Sequence, residues 1–374
     1  MRSEHSKEAS NTRSYFAAMD QNSKSPHIAS RKNIQGMPLI TIAIPTHNRA
    51  GYLQDNINSL LTQVKMIEDQ YQVEILVSDN CSTDDTQSVC KSYAESGMIR
   101  YFRNDVNLGP DRNFLKCINL ATGKFVLLLG DDDSIIEGGL KTLLNLIAQN
   151  SERSLILVNS FKKIVSPSIV GTKEEFCFRT PDRLEFTDKD EFIGKIDPDP
   201  LTFMSSLVLN LERLRELAQL EEGTGTHFIH TVWMIRLLGL KSSVLVYPSP
   251  IIRAGTAESL DFPSRDRCIS EFTLLAATLE FFSKFLPTIF KQCGYRKRTS
   301  RILVSKFVLR QSFMKLYTKI QGNNFLAYNR SKILKYTWRY PASWFLFYPS
   351  LIVPSWAMKP LRKGAELYIR IFVT

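Results

Sequence analysis

From Pro38 onward, short apolar runs alternate with longer stretches whose apolar residues recur every three to four positions. That is the signature of strands and helices building a largely parallel sheet. Leu39 to Ile44 reads as the first strand, ended by Pro45, which has no N–H to give a ladder. A helix with Leu53, Ile57, Leu60 and Leu61 on one face follows. Val73 to Val77 is the second strand, and Ser82 with Asp85 three residues on resembles a capping box that starts a helix near Thr83. After a short strand at Ile99 to Phe102, Gly109 breaks the chain and Pro110 suits a first helical position. The helix from Asp111 turns Phe114, Leu115, Ile118 and Ala121 inward, with Arg112, Asn113 and Lys116 elsewhere. Phe125 to Leu129 is apolar without interruption, as in a strand covered on both faces.

Composition and charge divide this pattern into parts. At 374 residues the chain exceeds the usual single domain, and 44% hydrophobic residues supply a substantial core. Residues 1–37, rich in Ser, Asn, Lys and Arg without an apolar run, read as a disordered tail rather than a signal peptide. The net charge of +11 is uneven: from Lys284 onward 18 Lys and Arg face one acid, Glu366, an excess of +17 that leaves −6 for the rest. Charge thus divides the chain near residue 284, with an α/β body read over 38–255 and a basic, aromatic, mainly helical C-terminal region over 256–374. Within it, Pro341 to Met358 carries no charge, Pro349 and Pro354 interrupt any simple helix, and Trp344, Tyr348 and Trp356 suit a headgroup layer. An element lying in the interface of an anionic membrane surface is the reading preferred over a span. No nucleic-acid recognition motif accompanies the charge, so nucleic acid is not an expected partner. Six cysteines without a CxxC pair read as reduced thiols in a cytosolic protein.

In open parallel sheets ligands bind at the carboxyl ends of the strands. Three polar clusters fall there: Thr46 to Arg49, Ser78 to Asp84, and Gly130 to Asp133. Three consecutive carboxylates, Asp131, Asp132 and Asp133, need a counter-charge in a low-dielectric crevice. Mn2+ or Mg2+ is the natural one, shared with a donor's phosphates and acting as a Lewis acid on a diphosphate leaving group. Asp79, just past a strand, can accept hydrogen bonds from a ribose or base edge, whereas Asp84 and Asp85 suit a helix N-terminus. His47 reads as a structural hydrogen-bonder.

Four motifs, Pro45-Thr46-His47-Asn48-Arg49, Val77 to Thr86, Asn107 to Asn113 and Leu128 to Asp133, resemble in order and spacing the family 2 glycosyltransferases of the GT-A fold. The wording Ser-Asp-Asn-Cys-Ser-Thr-Asp and Leu-Gly-Asp-Asp-Asp is most like the abequosyltransferase-type enzymes of bacterial O-antigen assembly. The resemblance implies an α/β fold, a Rossmann-like mixed sheet flanked by helices. It also implies a nucleotide-sugar site at Pro45, Thr46, Arg49, Asp79, Arg112, Asp131 and Asp132, and a metal at Asp131 and Asp133. A one-residue change of register shifts the weight to Asp132 and Asp133.

Inverting members carry an acid shortly before a Trp- or Leu-containing helix. The matching stretch here, Gly223 to Trp233, has no Asp, which leaves His227 as the candidate general base and Glu222 just upstream. The expected function is transfer of a sugar from a nucleoside diphosphate donor to a lipid-linked or saccharide acceptor, on the inner face of the cytoplasmic membrane. The alternatives are a nucleotidyltransferase, which lacks its Gly-rich phosphate loop here, and a non-catalytic membrane-associated scaffold.

Overall fold

The computed structural model describes residues 36–164, 173–178, 180, 182–255, 281–304 and 306. The N-terminal tail before residue 36 and the Pro341–Met358 segment lie outside the described residues.

The first half runs β1 (Ile40–Thr46), α1 (Ala50–Lys65), β2 (Val73–Asp79), α2 (Thr86–Glu95), β3 (Arg100–Arg103), α3 (Pro110–Leu120) and β4 (Phe125–Leu128). These four strands are mutually parallel, in the order β3-β2-β1-β4. The second half adds β5 (Ser134–Ile135), α4 (Gly139–Gln149), β6 (Leu155–Ile164), β7 (Lys173–Phe176), β8 (Leu184–Phe186), α5 (Lys189–Lys195) and α6 (Pro198–Thr202). It continues with β9 (Leu207–Asn210), α7 (Leu211–Arg215), α8 (Ile229–Leu240), β10 (Val244–Arg253) and α9 (Leu286–Gln292). β9 joins the halves antiparallel to both β4 and β6, so the sheet is mixed.

Strand periodicity sends alternate side chains to opposite faces. Ile40, Ile42 and Ile44 of β1 pack with Leu53 and Ile57 of α1 and Leu143 and Ile147 of α4. Ala43 of β1 and Val126 of β4 face the other way, toward Cys117 and Ile118 of α3 and Trp233 of α8. α8 is buried nearly all round, as a helix apolar on every side must be. Its far side is covered by residues from the C-terminal region. Phe281 stacks on Phe228 with ring centroids 4.9 Å apart, and the Tyr295 hydroxyl donates to the Ile235 carbonyl at 3.0 Å.

Three local expectations are corrected. β1 continues through Pro45 to Thr46, because β4 pairs with it only as far as Ala43 and leaves Pro45 at an open edge where no N–H is needed. α2 starts at Thr86 rather than near Thr83, since the Ser82 hydroxyl is taken by the Asn48 N–H. Asn113, set apart from the inward residues of its helix, is buried: it accepts from the Ser78 hydroxyl and donates to the Ser78 carbonyl, tying α3 to β2.

Candidate active site

The loops leaving β1, β2 and β3 are laced together at the carboxyl edge of the sheet. The Asn48 N–H donates to Ser82 Oγ at 2.9 Å, and the Thr83 N–H donates to Asn48 Oδ1 at 2.7 Å. Asn80 Nδ2 donates to Asn107 Oδ1 at 2.8 Å, and Asn80 Oδ1 accepts from the Leu108 N–H at 2.9 Å. Asp84 receives the N–H groups of Ala50 and Thr86, the first residues of α1 and α2, while Asp85 makes no side-chain cap bond. Among the described residues, three non-glycine residues have left-handed backbone, Asn48 (φ 55°), Cys81 (φ 65°) and His227 (φ 64°), and all lie in loops bordering this edge. Such strain concentrates where the surroundings over-determine a loop.

Asp79 is fully buried at the end of β2. Its Oδ2 accepts from the Tyr101 hydroxyl at 2.7 Å and lies 3.5 Å from Arg103 Nε, and its Oδ1 accepts from the Ser82 N–H at 2.8 Å. Tyr101 and Arg103 alternate along β3, paired in register with Val77 and Asp79. Here the carboxylate fixes the turn that presents Asn80 to Asp84. Pro45 and Thr46 sit opposite Ser78 and Asp79.

The acid cluster follows β4 and meets the β1 loop. Asp131 accepts from the Thr46 hydroxyl at 2.8 Å and from Arg49 at 2.9 Å. The same Arg49 nitrogen lies 3.1 Å from Asp132, so one guanidinium neutralises two neighbouring acids. Burial raises the Asp131 carboxyl above the usual range, with Arg49 and Thr46 pulling part of the way back. Asp133 turns the other way, accepting from the Ser205 hydroxyl at 2.5 Å and the Gly255 N–H at 2.8 Å. Burial pushes it up to about 6 despite those two donors, and Asp132 and Asp131 add to the rise. Two glycines make this packing possible. A Cβ on Gly130 would stand 2.6 Å from Asp133 Oδ2, and one on Gly255 would stand 2.6 Å from Asp132 Cγ.

This arrangement bears on the expected metal. Asp131 and Asp133 are both buried, and both oxygens of each already accept from protein donors. Asp132 is the most open of the three, its side chain 20% exposed against 9% for Asp131. Mg2+ and Mn2+ are satisfied by one or two protein carboxylates when substrate phosphates and water supply the rest. A cation would reach Asp132 most readily, while Asp131 and Asp133 would have to share oxygens that already accept protein hydrogen bonds. No group of three or more His, Cys, Asp or Glu side chains with metal-holding geometry occurs among the described residues.

Glu222 and His227 part company. Glu222 is ion-paired with Arg236, two turns along α8, and Trp233 Nε1 donates to the Leu220 carbonyl at 2.8 Å, so this end of the loop is bound to the helix side. His227 stands next to the start of α8, and its N–H donates to Asp111 Oδ2 at 2.8 Å. The left-handed backbone there costs on the order of 1–2 kcal/mol. A hydrogen bond to a carboxylate, worth about 1.5–3 kcal/mol, offsets it. Arg112 is exposed on the neighbouring face of α3, where it lines a cavity of about 350 Å³ with Leu108, Lys116, Glu221 and Thr224. The structure does not bring Arg112 to the acid cluster. Ser205 and Gly255, both bonded to Asp133, carried no recognisable motif in the sequence, and Asp111, inside the Asn107 to Asn113 motif, was given no role.

The mixed sheet thus gathers acids and a guanidinium where its first parallel strands end. Residues 41–199 match the sequence model of Glycosyl transferase family 2. The chain is 28% identical over 258 residues to abequosyltransferase RfbV of Salmonella typhimurium, covering 66% of this chain and 76% of that protein. It is 37% identical over 110 residues to the GalNAc(5)-diNAcBac-PP-undecaprenol beta-1,3-glucosyltransferase of Campylobacter jejuni, covering 29% of this chain and 34% of the other. The crystal structure of S. aureus TarS 1-349 in complex with UDP-GlcNAc shares the fold, with a TM-score of 0.53 at 14% identity over 88% of this chain and 91% of that one. Residues 41–199 thus carry a family 2 glycosyl transferase domain, and the chain is a glycosyltransferase.

Proposed function

We propose that this glycosyltransferase moves one sugar from a nucleoside diphosphate donor to a lipid-linked or saccharide acceptor in the synthesis of a cell-surface glycan. The observation that carries the reading is the meeting of Thr46 and Arg49 with Asp131 and Asp132 at the carboxyl edge of β1 and β4. Arg49 and Thr46 organise the acids, the rigid loop built on Asp79 offers Asn80 to Asp84 to the nucleoside, and Pro45 borders the base. Asp132 would hold Mn2+ or Mg2+ together with the donor's diphosphate, and a bound metal would neutralise the diphosphate as it leaves. His227 is read as the residue that takes the acceptor's proton, since Glu222 is committed to Arg236.

The names of the relatives support the setting: one transfers abequose and the other works on a glycan whose name includes PP-undecaprenol. No described helix is long and apolar enough to cross a membrane. The basic aromatic stretch beyond residue 306 is proposed to hold the enzyme peripherally on the inner, anionic face of the cytoplasmic membrane. A thermal-shift series of UDP, CDP, GDP and dTDP with and without Mn2+ tests the donor reading, because a ligand of the folded state raises the melting temperature. One nucleotide should stand out and need Mn2+. No stabilisation by any of the four would remove the donor assignment.

A further inference from the structure

We propose that Asp111 is a positioning residue, holding the loop that bears His227 in fixed relation to the turn on the donor side. The inference rests on the reading of His227 as general base.

The loop 219–228 is anchored at two places. At its first end, Trp233 and Arg236 of α8 hold Leu220, Gln219 and Glu222. Its middle is closed on itself, with Thr224 N–H donating to Glu221 O, Thr226 N–H to Gly223 O, and Phe228 N–H to Thr226 Oγ1. At its last end, among the described residues, the His227 N–H is the hydrogen bond that leaves the turn for another element, and it goes to Asp111 of α3.

That anchor is continuous with the donor-side loops. Asp111 stands two residues after Gly109, whose N–H donates to Asn107 Oδ1. Asn107 and Leu108 are in turn bonded to Asn80, the residue after Asp79. Asp111 is 3% exposed, so its contact with His227 is shielded from water.

The second carboxylate oxygen shows what kind of group the site needs. Asp111 Oδ1 is buried with no hydrogen-bond partner among the described residues, and so is Nδ1 of His230. Burial disfavours the charged form of His230, and in the neutral ring the Nε2 that lies 2.9 Å from the Thr202 carbonyl, which only accepts, carries the proton and leaves Nδ1 a lone pair. Two lone pairs cannot bond each other. The pair is therefore no proton-sharing dyad, and the service Asp111 performs is acceptance of the His227 N–H through Oδ2. An asparagine could do the same.

The test compares Asp111→Ala with Asp111→Asn in the full-length enzyme. Asp111→Ala should lower kcat at least tenfold while the Kd of the nucleotide stays within twofold. Asp111→Asn should restore kcat to within about threefold of the parent. Hydrogen–deuterium exchange gives a readout free of turnover: the peptide covering 223–229 should exchange faster in Asp111→Ala and at the parental rate in Asp111→Asn. In a His227→Gln background, Asp111→Ala should add less than a threefold loss, because it acts through His227. If Asp111→Ala misfolds, Asp111→Ser replaces it. Equal losses in the Asn and Ala variants, or unchanged exchange at 223–229, would overturn the proposal. A parental kcat in His227→Gln alone would instead overturn the general-base reading and leave the exchange result to judge the anchor.

Discussion

Replacing Asp133 by asparagine should stabilise the protein at neutral pH. The carboxyl is buried 5% exposed beside two other acids, and its pKa is pushed from an ordinary 3.8 up to about 6. A group whose pKa is higher folded than unfolded contributes stability that is complete below the unfolded value. That contribution is lost as the pH rises through the folded one. The window here is therefore pH 3.8 to about 6. Two pKa units correspond to about 3 kcal/mol, so with a unit of allowance the ionised side chain costs the fold about 1–3 kcal/mol at pH 8. Asparagine removes the charge and keeps the packing. Its oxygen can accept from the Gly255 N–H and its amide can donate to Ser205 Oγ. Melting curves of parent and variant in EDTA, from pH 4 to pH 8, should diverge between pH 4 and pH 6.5, the variant melting higher by about 2–4 °C per kcal/mol above that. A variant that melts lower than the parent across the whole range would show that Asp133 is worth more as an ionised acceptor than it costs as a buried charge.

Three further predictions concern other parts of the molecule. Arg49→Gln leaves Asp131 and Asp132 facing each other without a cation. It should cost about 1–3 kcal/mol in urea unfolding, less than a fully buried pair because Arg49 is itself 20% exposed, and donor turnover should fall with it. Glu222→Gln should keep kcat within about threefold of the parent, since the side chain serves Arg236. A hundredfold loss would return the base role to Glu222. Deleting the residues after Arg330 should abolish binding to anionic liposomes while nucleotide affinity holds, and binding by the full chain should weaken in high salt without vanishing.

The strands and helices up to residue 129 were legible because their signals are local. Period-two and period-3.6 patterns, a Pro after a Gly, and polar runs behind apolar ones all lie within a few residues of each other. The same locality marked Thr46 to Arg49 and Gly130 to Asp133 as separate polar runs behind strands, and the rule that ligands meet strand ends suggested that they share a crevice. The partners of those residues were not legible. Ser205 and Gly255 reach Asp133 from 72 and 122 positions away, and only the fold brings them there. The counter-charge that the sequence reading sought in a metal is supplied in part by the Arg49 guanidinium from the first loop. Asp111 was hidden because a helix-start acid has an ordinary role, and nothing nearby announces that residue 227 will come to it. Capping failed at Ser82 for the same reason, its hydroxyl being claimed by Asn48 across the sheet.

The stacking of Phe281 on Phe228 changes where this enzyme can be cut. Phe281, Phe282, Leu286, Ile289 and Phe290 are each at most 1% exposed. At about 1.5–3 kcal/mol for each buried side chain, the five together rival the entire net stability of a domain, about 5–15 kcal/mol. The domain end read at residue 255 invites truncation there, yet a protein ending at that point would present Phe228 and the back of α8 to water. Residues 37–306 should yield a soluble protein with a cooperative melting transition, and residues 37–255 should aggregate on expression. The minimal catalytic body is thus set by the aromatic packing behind α8, whatever the basic residues beyond it do.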